Sequence, residues 1–330
     1  MKTITLFNNK GGAGKTSLAY HLGFMFAELG HRVVLADLDP QANLSTMCVT
    51  DDRLEAIWGQ DPRPTIFGAI DRLRRGLGDV DRVSHESVGG SIGLVVGDLQ
   101  LSELEDDLSQ QWPKCLDRDE RAFRVTTALS RVVRDVSDRF GADIAVLDVG
   151  PNFGAINRAA LIASDYVIVP VAPDLFSMQG LENVGPRLKV WREAWTDRRS
   201  RAPALDFELP KGEMAPLGYV AGRHSVMGGG AVKAFQRWID RMPLVYRRSF
   251  GEPEPAEGID VASDEFCLAQ LKDYRSLMPM AQEAKKPMFL LKPGDGAIGG
   301  HQGAVRQAYD DFKTLALEVL ERMNVAQTRA

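Results

Sequence analysis

A chain of 330 residues, 44% hydrophobic and 26% charged, is long enough to bury a sizeable core as one large α/β domain or two smaller ones. A formal net charge of −5 excludes a protein that is basic all over but leaves room for a local basic face. No uncharged apolar run reaches the roughly 18 residues of a membrane span, and Cys48, Cys115 and Cys267 are too scattered for a disulfide framework or a ligand cluster, so a cytoplasmic setting is expected.

Met1 and Lys2 lead straight into a short strand at residues 3–7 rather than into a signal peptide. Next comes Lys10-Gly11-Gly12-Ala13-Gly14-Lys15-Thr16-Ser17. It fits the pattern G-x-x-x-x-G-K-[ST] loosely, because Asn9 stands where the first glycine belongs. The glycines let the backbone turn tightly and aim successive N–H groups at anionic oxygens. Lys15 is placed to reach the outer phosphates of a nucleotide, and Thr16 offers a hydroxyl to Mg²⁺. The helix that begins behind them points its positive end at the same place. A glycine-rich turn that binds nothing is the bland alternative, but strand, loop, Lys-Thr and helix follow in the order the chemistry needs.

Leu18, Leu22, Met25, Phe26 and Leu29 recur at helical spacing, with Gly30 as terminator. Residues 33–36 form a buried strand that delivers Asp37 and Asp39, two apart and sharing a face, to its C-terminal end. Residues 66–73 read as a short helix, and Arg72, Arg74 and Arg75 as a solvated face. A strand at 93–97, an amphipathic stretch through Leu99, Leu101, Leu104 and Leu108, and a helical stripe from Phe123 to Val136 follow. Trp112 and Pro113 are expected in an irregular connection. Strand 144–147 ends in Asp148, well placed for a Mg²⁺ role on a sheet that already carries a phosphate loop.

Further strands are expected at 166–171 and 217–221, and a final helix whose apolar face closes the core. Between them, residues 223–275 read as an insertion with looping ends and a helix around 232–241. The pattern predicts a doubly wound, mostly parallel α/β sheet with helices on both faces, a single domain over 1–330.

The variant K-G-G-x-G-K-T, with Lys10 ahead of the glycines, resembles the deviant phosphate loop of the ParA/MinD family of dimerising ATPases. The Asp37-Leu38-Asp39-Pro40-Gln41 stretch resembles that family's first switch. The resemblance implies ATP and Mg²⁺ as ligands and a homodimer that sandwiches two nucleotides. Lys10 would act across the dimer, Asp37 would hold Mg²⁺ through water, Asp39 would orient the attacking water, and Asp148 would support the metal. It also implies non-specific DNA binding in the ATP state and a ParB-like or other activating adaptor. Net-basic stretches that could meet DNA carry Arg187, Lys189, Arg192, Arg198, Arg199 and Arg201, and then Arg237, Arg241, Arg247 and Arg248. The alternatives are a MinD-like membrane-associated ATPase, disfavoured by a slightly acidic last helix, and a metabolic ATPase of the same superfamily. Two departures stand out: Val149-Gly150-Pro151-Asn152 follows Asp148 where relatives carry Asp-Thr-Pro-Pro or similar, and Gly222-Arg223 stands where relatives often place a base-reading asparagine.

Overall fold

The computed structural model describes residues 1–222, 236–255, 258–274 and 276–328. Its strands are β1 (Lys2–Leu6), β2 (Val33–Asp37), β3 (Glu86–Ser87), β4 (Ile92–Val95), β5 (Ile144–Asp148), β6 (Tyr166–Val171), β7 (Ala215–Gly222) and β8 (Cys267–Leu271). They form one sheet in the order β3-β4-β2-β5-β1-β6-β7-β8. All pairs are parallel except β3 with β4. The central strands are near-continuous runs of buried Val, Ile, Leu and Ala, as a sheet covered on both faces demands.

The helices are α1 (Lys15–Glu28), α2 (Asn43–Cys48), α3 (Asp51–Trp58), α4 (Ile66–Arg74), α5 (Leu104–Lys114), α6 (Glu120–Thr126), α7 (Ala128–Phe140), α8 (Ala155–Ile162), α9 (Leu175–Ser200), α10 (Met242–Phe250), α11 (Met278–Ala284) and α12 (Gly300–Thr328). Alternation along each strand divides them into two layers. Val34 and Ala36 of β2 and Ala145 and Leu147 of β5 join a core with α4 to α10. Val33, Leu35, Ile144 and Val146 join the opposite core with α1 to α3, α11 and α12. The doubly wound architecture expected from the sequence is thus present.

Several local expectations need correction. The stripe from Phe123 to Val136 is two helices, because Thr127 sits at φ −102°, ψ 6° between α6 and α7. Trp112 and Pro113 lie in the last turn of α5 rather than in an irregular connection. Trp112 stacks on Trp195 at 6.0 Å and carries the Arg198 guanidinium 4.0 Å from its ring centre. The segment 223–275 contributes α10 and the edge strand β8. Cys-Leu-Ala-Gln-Leu has no β-branched residue, and four of its five side chains are only half-buried, so nothing in its pattern marks a strand. Tyr219 of β7 donates its hydroxyl to buried Asp264 at 2.7 Å, and Arg247 of α10 donates to the same carboxylate at 2.6 Å, tying this segment to the sheet. Of the helix expected around 232–241, residues 232–235 lie outside the described residues, as do Gly228-Gly229-Gly230 and Arg223.

One buried histidine joins α1 to the C-terminal layer. His21 Nδ1 donates to the Ser17 carbonyl at 2.7 Å, which leaves Nε2 to accept the Met288 N–H at 3.1 Å. Its ring stacks on Phe312 at 5.0 Å. Both bonds fit the neutral ring, and burial pushes its pKa down to about 4. Because the unfolded chain takes up this proton first, the contribution of the neutral ring is complete above pH 6.5 and is lost as pH falls towards 4, in total about 3 kcal/mol. Thermal melts of the wild type and His21→Gln at pH 7 and pH 4.5 should therefore converge at the lower pH; a constant difference between them would contradict this.

Candidate functional site

The C-terminal ends of β1, β5 and β2, three neighbours at the sheet centre, bring the glycine loop and the carboxylates together. Register places Asp37 beside Asp148 and Asp148 beside Leu6, two residues before Asn8. Gly12 and Gly14 have φ of 75° and 81°, the left-handed backbone that the loop needs. Asn8 is buried at the base of the loop, donating to the Pro170 carbonyl at 2.8 Å and accepting the Lys10 N–H at 3.1 Å. Lys15 is buried and folds back so that its ammonium donates to the Lys10 carbonyl at 3.1 Å. Burial lowers its pKa, opposed by the charges of Asp148 and Asp39.

Each carboxylate has a different environment. Asp37 Oδ2 accepts from both the N–H and the hydroxyl of Ser45, each at 2.7 Å. Asp39 Oδ1 accepts the Gln41 N–H at 3.0 Å. Asp148 is fully buried, and neither of its oxygens has a hydrogen-bond partner. Burial and then repulsion from Asp37 and Asp39 raise its pKa well above the carboxylate range; the nearby Thr16 hydroxyl and Lys15 oppose this without closing a regular hydrogen bond. Asp37 is raised in the same direction, by burial first. A buried carboxylate left unpartnered beside two others and a threonine hydroxyl calls for a cation. Among the described residues no three acidic, His or Cys side chains converge into a ready-made cage. Thr16, Asp37 and Asp148, the residues expected to hold Mg²⁺, lie together at the mouth of the loop.

Lys10 stands on the rim. Its ammonium pairs with Asp174 at 2.5 Å, both side chains being about 30% exposed or less. Asp174 caps α9, accepting the Ser177 N–H at 2.9 Å. On the other side of the loop, a cavity of about 360 Å³ is lined by Gly12, Pro173, Val220, Leu271, Met278 and Phe312 among others. It is largely apolar and wide enough for a nucleobase and ribose. A cavity of similar volume at the N-terminal end of β1, lined by Lys2, Arg134 and Asp165, is remote from these carboxylates.

The sequence missed the supports of the site. Ser45 holds Asp37, and Gly97 closes over it: a Cβ there would lie 2.8 Å from Asp37 Cγ. Trp58 fixes this glycine by donating to its carbonyl at 3.0 Å. A serine on the helix that follows the Asp37–Asp39 turn was the available signal for Ser45; for Gly97 there was none.

The basic residues separate by burial. Arg247 is buried against Asp264, and Arg198 donates to the Trp112 and Ala194 carbonyls, so neither presents its charge to solvent. Arg192 is spent on the Glu213 and Met214 carbonyls, Arg201 on Asp197 and Arg248 on Glu254. Arg187, Lys189, Arg199, Arg201, Arg237, Arg241 and Arg248 are exposed, Arg199 donating to the Lys211 carbonyl at 3.0 Å. Arg237 and Arg241 flank the Trp238 ring at 4.8 and 5.2 Å, and Arg187 lies over Phe153 and Trp191.

Comparison with known proteins agrees with this geometry. Residues 1–198 match the family model described as an AAA domain. A Rhizobium rhizogenes protein named for replication is 31% identical over 182 residues, 55% of this chain. A Thermus thermophilus protein named "Probable plasmid-partitioning protein ParA" is 29% identical over 202 residues, 61% of this chain and 54% of its own length. The chain spans less than half the length of the first curated relatives it matches, 42% in each of two rhizobial proteins. Among solved structures, protein DIP2308 from Corynebacterium diphtheriae superposes with a TM-score of 0.71 at 22% identity, covering 98% of this chain and 99% of its own. The cell division ATPase MinD of Pyrococcus furiosus gives 0.57 at 17%, covering 97% and 98%. At these identities the structural matches speak for the fold.

Proposed function

Since the chain belongs to the ParA/MinD family of P-loop ATPases, we propose that it hydrolyses Mg²⁺·ATP as a nucleotide-sandwich dimer. The ATP-bound dimer binds DNA without sequence preference and so partitions or positions a plasmid, a chromosome or another large cargo. The observation that carries the reading is the unpartnered Asp148 carboxylate beside Thr16, Lys15 and Asp37 at the mouth of the glycine loop.

The glycine loop, residues 11–17, cradles the phosphates through its N–H groups, and Lys15 leaves the Lys10 carbonyl to meet the outer phosphate oxygens. Thr16, with Asp37 and Asp148 behind it, would hold Mg²⁺, which would supply charge neutralisation at those oxygens. Asp39, fixed by the Gln41 N–H, orients the attacking water and accepts its proton. Lys10 exchanges Asp174 for the partner subunit's nucleotide, so each site is complete only in the dimer. The apolar cavity beside Gly12 takes the base; with glycine at position 222, the described lining offers shape more than a side-chain amide to read it. An activating adaptor of ParB-like character docks on the segment 223–275, of which α10 and β8 are described parts. The protein works in the cytoplasm, on the nucleoid.

For DNA, Arg187, Lys189, Arg199, Arg237 and Arg241 are the candidate contacts, with Arg201 and Arg248 also exposed but paired to Asp197 and Glu254. α9 and α10 pack closely, the Ser249 hydroxyl donating to the Leu181 carbonyl at 2.6 Å and accepting the Gly185 N–H, so the two basic stretches neighbour each other. ATP-loaded Asp39→Ala protein, slowed in hydrolysis, should be retained on DNA with an affinity that falls steeply with salt. Arg237→Ala with Arg241→Ala should lower the slope of log affinity against log salt by about 2. Retention that ignores ionic strength, or ATP-dependent pelleting with anionic vesicles in place of DNA, would contradict the proposal; among the described residues no helix is long and apolar enough to cross a membrane.

A further inference from the structure

The stretch after Asp148 is held from outside itself. Glu105, in the first turn of α5, accepts the Ala155 N–H through Oε1 at 2.5 Å and the Ile156 N–H through Oε2 at 3.0 Å. Gly154 makes the approach possible, since a Cβ there would stand 2.6 Å from Glu105 Oε1. From α8, Asn157 Nδ2 donates to the Gly150 carbonyl at 2.8 Å and the Asn152 carbonyl at 2.7 Å, while Asn152 Oδ1 accepts the Gly154 N–H at 2.7 Å. Gly150 in turn faces the water-orienting carboxylate: a Cβ on it would lie 3.4 Å from Asp39 Oδ1.

The other end of the same segment grips the first switch. The Gly97 N–H donates to the Ser45 hydroxyl at 2.9 Å, and Ser45 holds Asp37. Residues 97–105 thus touch the Asp37 loop at one end and the loop after Asp148 at the other.

We propose that Glu105 is a positioning residue for hydrolysis: by clamping the first two amides of α8 it fixes residues 150–154 against Asp39, and the segment from Gly97 to Glu105 braces both carboxylate loops at one spacing. This rests on the ATPase reading above. It accounts for how a chain with Val149-Gly150-Pro151-Asn152 after its metal carboxylate holds that loop without paired prolines: Gly154 lets one carboxylate from another helix come close enough to fix the loop's end. A helix cap serving only stability would affect folding and nucleotide binding together. A brace between two reacting loops acts on turnover first.

The test compares wild type, Glu105→Ala, Glu105→Gln and, as a control, Asp106→Ala, whose side chain is exposed. Steady-state ATP turnover, ADP affinity by calorimetry and amide exchange in the nucleotide-free protein are measured for each. Glu105→Ala should lower kcat roughly tenfold with KM and ADP affinity within about twofold, and should speed exchange at Ala155 and Ile156. Glu105→Gln, which keeps one acceptor, should fall between it and wild type, and carries the comparison alone if the alanine variant does not fold. Wild-type kcat in either folded variant, or loss of ADP affinity in step with kcat, would overturn the positioning role. Unchanged exchange would overturn the clamp whatever the activity, whereas a wild-type protein without ATP turnover would overturn the ATPase reading and this role with it.

Discussion

Asp148→Asn should nearly abolish Mg²⁺-dependent ATP turnover and, in the same protein, raise the melting temperature of the nucleotide-free form. The two effects share one cause. In the free protein the Asp148 carboxyl is buried with both oxygens unpartnered and is pressed by Asp37 and Asp39, so holding it there, ionised or protonated, is a cost at neutral pH that the fold carries until a cation arrives. Replacing it with a neutral amide should return about 1–3 kcal/mol, or roughly 1–4 °C for a chain of this size. If Asp148 holds Mg²⁺ as proposed, the same change weakens that hold, and turnover should fall at least about a hundredfold. Melts with and without Mg²⁺·ATP separate the effects: wild type should gain strongly from the ligand and the variant little. A variant that is less stable without nucleotide than the wild type would show that Asp148 serves the fold and not a cation.

The second large effect is expected at Lys10. Its ion pair with Asp174 is partly exposed and contributes at most about 1 kcal/mol to the single chain, so Lys10→Ala should leave the melting temperature almost unmoved. Turnover should nevertheless fall roughly 10²–10³-fold, because a lysine brought to the transferring phosphoryl group in trans acts as arginine fingers do in related phosphate chemistry. A lysine needed only for the Asp174 pair would show the reverse: a small loss of stability and normal turnover. Dimerisation followed by light scattering in ATP should weaken in parallel, since a nucleotide gripped by both subunits links binding to association.

The fold was legible where hydrophobic period and glycine punctuation agree. The strands carrying the glycine loop, Asp37 and Asp148 are short apolar runs that end where the chemistry begins, and so the sheet centre and its carboxylates could be read directly. The edge was not legible: β8 is a half-buried Cys-Leu-Ala-Gln-Leu whose strand state is set by pairing with β7 and by the Tyr219–Asp264–Arg247 contacts. Residues that reach the site from far along the chain were equally invisible. Asp174 meets Lys10 across 164 positions, and Glu105 meets Ala155 across 50; no local pattern encodes either. Charge runs misled for the opposite reason. Arg198 and Arg247 count as basic surface in a linear window, but one lies on Trp112 and the other is sealed against Asp264.

The central claim is that each nucleotide site draws Lys15 from its own subunit and Lys10 from its neighbour, and mixing two inactive variants tests it most directly. Lys10→Ala and Lys15→Ala proteins, each purified and without turnover, are combined in equal amounts with Mg²⁺·ATP. In a mixed dimer, the site on the Lys10→Ala subunit keeps its own Lys15 and receives Lys10 from the other chain, so one of the two sites is whole. With random pairing the mixture should recover about a quarter of wild-type turnover. A mixture as inactive as its components, under conditions where light scattering shows that dimers form, would place both lysines in the same subunit's site and contradict the account.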